Sequence, residues 1–141
     1  MAEKRVTGIG GVFIKCQDPE NVKKWYDNHL GLKTDQYGAM FEFRKVSTDE
    51  HAYLQWSVFK QDSDYFDPST KGFMINYRVD NIRGLVDKLK AEGVTVLDEI
   101  EEFDYGKFVH ILDPEGNKIE LWEPVDKVFK EGGYAEHTVH D

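Results

Sequence analysis

The sequence predicts an α+β fold: two tandem βαβββ modules forming one curved mixed sheet, with helices on the convex face and a concave cleft. Three observations carry this. Asp18 to Gly31 and Asp80 to Gly93 span thirteen residues each, and both stretches are helical in pattern. A strand-like run precedes each Asp, and strand-like runs follow each Gly. One such module offers a single helix against an open sheet, too little to bury a core alone, so two must lie side by side.

The first run, residues 9–16, places Val12, Ile14 and Cys16 on one face and Gly11, Phe13 and Lys15 on the other. Asp18-Pro19-Glu20 then starts a helix. Asp is a good N-cap, proline suits the first helical position, and Glu favours the positive end of the dipole. Val22, Trp25, Tyr26 and Leu30 fall at core-facing spacing before Gly31 ends the helix. Residues 39–46 and 52–59 read as strands around a polar turn, with Leu54, Trp56 and Val58 opposing Tyr53, Gln55 and Ser57. Module one therefore covers about residues 8–59.

Residues 60–72 are polar and turn-rich and read as a connector. Their Asp62, Asp64 and Asp67 spacing is superficially that of a calcium loop. Asp67 stands where such a loop needs glycine, which excludes it. Module two, about residues 73–124, opens with a strand at 73–79. Phe73, Ile75, Tyr77 and Val79 take one face, and Met74, Asn76 and Arg78 the other. A helix from Asp80-Asn81 carries Ile82, Leu85, Val86 and Leu89 on one stripe, and VTVLDEI (94–100) reads as the next strand.

The last hairpin is the most informative stretch. Asp113-Pro114-Glu115-Gly116-Asn117 is concentrated turn chemistry, with proline presetting φ and glycine supplying φ > 0. Pairing Leu112 with Lys118 sets His110 opposite Glu120. A carboxylate and an imidazole then share the cleft face with Phe108 and Trp122.

Composition narrows the function. Apolar residues make up 40% of the 141 and aromatics 13%, enough for one real core in a single domain, residues 1–124. No apolar run approaches membrane-spanning length, and MAEKRVTG lacks a signal peptide's apolar region. The lone Cys16 excludes an intrachain disulfide and a cysteine-based zinc cluster. The expected location is cytoplasmic, with no membrane partner. A net charge of −9 argues against nucleic acid as a partner and suits a cationic ligand or simple solubility. The segment 125–141 is read as a C-terminal tail that can cover the cleft or a partner, and its His137 and His140 as solvated.

Paired modules ending in DPEGNKIELWEP closely resemble the vicinal oxygen chelate superfamily, which includes glyoxalase I, bleomycin-resistance proteins and extradiol dioxygenases. The resemblance covers about residues 8–124. It implies a small organic ligand in the cleft and often a homodimer. In metal-dependent members a divalent ion is held by His, Glu or Gln from the first and fourth strands of each module. The matching positions here are Gly11, Gln55, Met74 and Glu120. Glycine has no side chain, and methionine is a soft thioether ill suited to such ions. No cofactor is therefore expected, and any divalent metal would have to use Glu120, Gln55 and His110.

Three readings follow. In the first, the protein binds a small molecule without metal, as bleomycin-resistance proteins do. Phe13, Tyr53, Met74, Phe108 and Trp122 would line the cleft, and Gln55, Asn76, His110 and Glu120 would supply polar contacts. In the second it is a metal-dependent glyoxalase-like lyase or thiol transferase with Glu120 as a ligand. In the third it is a metal-free enzyme with His110 and Glu120 as its catalytic acid–base pair.

Overall fold

A computed structural model describes residues 5–131 and 139–140. The elements run β1 (Val6–Cys16), α1 (Pro19–Leu30), β2 (Ala39–Arg44), β3 (His51–Lys60), β4 (Phe73–Val79), α2 (Ile82–Ala91), β5 (Glu101–Phe103), β6 (Gly106–Leu112), β7 (Lys118–Pro124), α3 (Asp126–Glu131) and β8 (Val139–His140). The strands form one curved, open, mixed sheet in the order β5-β6-β7-β4-β1-β3-β2-β8. The modules join where β1 meets β4 antiparallel, and within each module the first strand pairs parallel with the last.

Local chemistry sets the ends of these elements. Asp18 Oδ1 accepts from the Asn21 N–H at the start of α1, and Gly31 closes that helix in the left-handed region at φ 71°. In the last turn Asp113 Oδ1 accepts from the N–H groups of Glu115 and Asn117, and Gly116 takes φ 79°. The hairpin register is the expected one, with His110 opposite Glu120 and Leu112 opposite Lys118.

Alternation along the strands gives the sheet two apolar layers. On the convex face, α2 buries Ile82, Leu85 and Val86 against Val79, Val109, Ile111 and Leu121. On the concave face, Phe13 and Met74 pack on Phe66 from the connector, with Phe59 beside them. The concave face is therefore partly filled by the chain itself.

Four local expectations need correction. In module one, the strand due directly after α1 is reduced to a single bridge between Asp35 and Gly38. The α1 stripe is also rotated: Trp25 is 50% and Leu30 60% exposed, while Lys23 is buried. A loop rather than a strand lies beside α1, and Lys23 Nζ reaches its carbonyl at Asp35 and the Glu20 carboxylate. In module two, residues 94–100 form only the Val96–Ile111 bridge, and β5 begins at Glu101. Asp98 Oδ1 takes the His110 N–H that a strand carbonyl would otherwise accept. Beyond Pro124, where no element was expected, α3 lies on the concave face and β8 pairs with β2. His137 lies outside the described residues.

No helix among the described residues is long and apolar enough to cross a membrane. The convex layer makes a direct prediction. Leu121→Ala should lower unfolding free energy by about 3 kcal/mol. Urea denaturation should show a lower midpoint with an unchanged slope.

Candidate functional site

Strand pairing sets one row of residues across the middle of the concave face. His110 on β6 faces Glu120 on β7, which faces Asn76 on β4, then Gly11 on β1 and Gln55 on β3. Partners in a ladder point to the same side, so this row is fixed by register alone.

Glu120 is the centre of the row. It is only 3% exposed, and a bare carboxylate there would be costly. Three donors answer it. Asn76 Nδ2 donates to Oε1 at 2.7 Å, His110 Nε2 lies 2.8 Å from Oε2, and the Tyr65 hydroxyl donates to Oε2 at 2.5 Å. On its far side, His110 Nδ1 sits 2.6 Å from Asp98 Oδ2. The result is a chain of carboxylate, imidazole and carboxylate that runs from the buried Glu120 and His110 out to the exposed Asp98.

The electrostatics follow from that geometry. Burial works to strip the proton from His110, but hydrogen bonds and charge from Glu120 and Asp98 outweigh it, and its pKa is raised. The imidazole lies between two carboxylates, which favour its protonated form. Burial, reinforced by the Glu120 charge, pushes the Tyr65 hydroxyl far above its ordinary range. Tyr65 is thus a committed donor and not a base at neutral pH.

Tyr65 belongs to the connector. Its ring stacks on Phe59 at 5.6 Å and meets His110 edge-on at 5.5 Å. Lys118 Nζ donates to its carbonyl at 2.6 Å. Neither Tyr65 nor Asp98 was picked out from the sequence. The available signal was an aromatic pair, Tyr65-Phe66, in an otherwise polar segment, where two rings are poorly placed in water.

The other expected site residues divide. Asn76, His110 and Glu120 form the cluster, with Met74 and Phe13 packed in the layer beside it. Tyr53, Phe108 and Trp122 lie further along the concave face, where Phe108 stacks on Trp122 at 5.8 Å and Trp122 and Tyr53 both meet Phe129 of α3. Gln55 is not part of the cluster. It sits three strands from Glu120, roughly 14 Å at normal strand spacing, and donates to the carbonyls of Tyr37 and Trp56 and to Ser57 Oγ.

The four metal-ligand positions do not form a donor set that fits a divalent ion. A Cβ at Gly11 would lie 2.7 Å from Phe13 Cζ, so the Phe13 ring fills that place. Met74 is fully buried among aromatic rings, and Gln55 is bonded elsewhere. Both Glu120 oxygens already face N–H or O–H donors.

Comparison with known proteins fits this architecture. The family model described as Glyoxalase/Bleomycin resistance protein/Dioxygenase superfamily matches residues 8–121. No curated protein matches. Among solved structures, methylmalonyl-CoA epimerase from Mycobacterium tuberculosis is 20% identical with a TM-score of 0.57, covering 92% of this chain and 96% of its own. A Streptomyces coelicolor methylmalonyl-CoA epimerase in complex with 2-nitronate-propionyl-CoA is 19% identical with a TM-score of 0.61, covering 85% and 99%. A Legionella pneumophila structure described as NAD-dependent benzaldehyde dehydrogenase is 13% identical with a TM-score of 0.52, covering 81% and 97%. At these identities the likeness is one of fold.

The raised His110 pKa makes stability pH-dependent. The folded chain keeps a proton that the unfolded chain loses near about pH 6.5. This contribution is complete below that pH and is lost as pH rises through the higher folded value. The melting temperature of the wild type should therefore fall more steeply above about pH 6.5 than that of His110→Gln. Calorimetry across the range checks it.

Proposed function

The chain belongs to the glyoxalase/bleomycin resistance protein/dioxygenase superfamily, and from that premise we propose that it is a metal-independent small-molecule-binding protein. Its ligand places a hydrogen-bond donor on Glu120, where the Tyr65 hydroxyl now sits. One observation carries this. Tyr65 is 40% exposed on a surface segment, yet its hydroxyl serves a carboxylate buried in the sheet. Asn76 and His110 hold Glu120 from neighbouring strands, whereas Tyr65 reaches it from outside the sheet. A side-chain rotation would remove Tyr65, and the buried oxygen would then need another donor. Phe59, on which the Tyr65 ring stacks, offers its face to an aromatic or other flat ligand.

The relatives support a small-molecule ligand in general terms, since one similar fold was solved with a propionyl-CoA derivative. The lack of a fitting donor set supports independence from metal. The reading retains the cytoplasmic location and the homodimer expected from the sequence, and light scattering checks the dimer.

A second reading is favoured by the Asp98–His110–Glu120 chain. In it the protein is a metal-free enzyme, and Glu120 and His110 exchange a proton with a substrate that displaces Tyr65. The carboxylate of Asp98 fixes the imidazole orientation, and the raised His110 pKa keeps a proton available near neutrality.

A thermal-shift screen of phenols, aliphatic alcohols and organic cations, with bleomycin-type drugs among them, tests the binding reading. A ligand should raise the melting temperature by mass action. Tyr65→Phe, which removes the competing hydroxyl, should tighten that ligand about tenfold, and Glu120→Gln should abolish the shift. Stoichiometric Ni²⁺, Zn²⁺, Mn²⁺ or Fe²⁺ in protein purified without added metal would overturn metal independence.

A further inference from the structure

Arg78 lies on the concave face outside the Glu120 cluster. It is 3% exposed. Its Nη1 donates to the Tyr53 carbonyl at 2.9 Å and its Nη2 to Asp126 Oδ2 at 2.5 Å. The guanidinium carbon is 5.3 Å from the Trp122 ring centroid and 5.4 Å from that of Phe43. A cation so far from water needs an anion. Here the anion comes from α3, a helix outside both modules.

The fit of that anion is incomplete. Only Asp126 Oδ2 engages Arg78, with Lys45 Nζ 3.7 Å from the same oxygen. Oδ1 is buried and has no partner among the described residues. One helical turn later, on the same side of α3, Phe129 sets its ring 5.6 Å from Tyr53 and 5.8 Å from Trp122. The helix thus lays a carboxylate and a phenyl ring, side by side, onto the concave face. A helix of six residues has little stability of its own.

We propose that this is a binding subsite for an aromatic carboxylate, and that α3 is its built-in occupant. A free arylalkanoate sets its carboxylate on Arg78 and its ring against Tyr53 and Trp122, and α3 lifts away. A free carboxylate can turn so that one oxygen meets Arg78 and the other Lys45, which the tethered Asp126 does not do. The subsite is independent of the Glu120 reading, because none of its residues belongs to that cluster.

The test uses full-length protein and 3-phenylpropionate, with tryptophan fluorescence and isothermal titration as readouts. The wild type should bind it weakly, because α3 competes. Asp126→Asn should bind it about tenfold more tightly, and adding Lys45→Ala should take back most of that gain. The neutral 3-phenylpropionamide should not bind. Should Asp126→Asn not fold, Phe129→Ala, which vacates the ring position and leaves Asp126 in place, should also tighten binding. Equal affinity in wild type and variants, or an amide that binds as well as the acid, would overturn the proposal and leave α3 a structural latch.

Discussion

The concave face is organised by the need to solvate one buried carboxylate. Glu120 sits mid-strand in β7, walled in by the neighbouring strands, and its charge is tolerable only if donors replace water. Each donor constrains a different part of the chain. Asn76 ties in β4, His110 ties in β6, and Tyr65 ties down the connector between the modules. His110 then needs Asp98, and Asp98 in turn interrupts the strand it lies on. A single acid thus accounts for the seam between the strands, for the path of a surface segment and for an irregularity two strands away. The network is not fully satisfied: Asn76 Oδ1 is buried with no partner among the described residues, which is costly in so dry a setting.

Two inserted pieces cover the concave face, and they are chemically distinct. The connector brings aromatic rings and a hydroxyl to the acidic centre, where Phe66 anchors it in a small apolar layer. The α3 helix brings a carboxylate and a ring to the basic side around Arg78. Each presents the group that its half of the sheet lacks. The net charge of −9 is therefore a poor guide to the cleft, which is acidic at one position and cationic at the next.

The architecture and the register were legible from the chain because they rest on periodicity and turn chemistry. The thirteen-residue spacing from Asp to Gly and the Asp113–Asn117 turn were enough to set His110 against Glu120. Partners distant in sequence were not legible. Tyr65 is fifty-five positions from Glu120, and no local pattern links them. Asp98 read as a strand residue because it lies in the β-branched run VTVLDEI, whereas its side chain accepts the His110 N–H and ends the ladder there. The burial of Lys23 and the exposure of Trp25 were hidden because they depend on a neighbouring strand that is not there.

The packing at Gly11 bears on how such a chain can change over generations. Phe13 has its ring where a side chain at position 11 would begin, and that ring is itself fixed by Phe59, Phe66 and Met74. A single replacement of Gly11 by histidine meets a packed ring before it can reach the centre of the cleft. A ligand at that position requires Phe13 to shrink as well, and shrinking Phe13 alone opens a cavity in the concave layer. Neither first step is neutral. The two positions are therefore coupled: a ligand side chain at position 11 is reachable only through paired changes, whereas other cleft positions can vary one at a time.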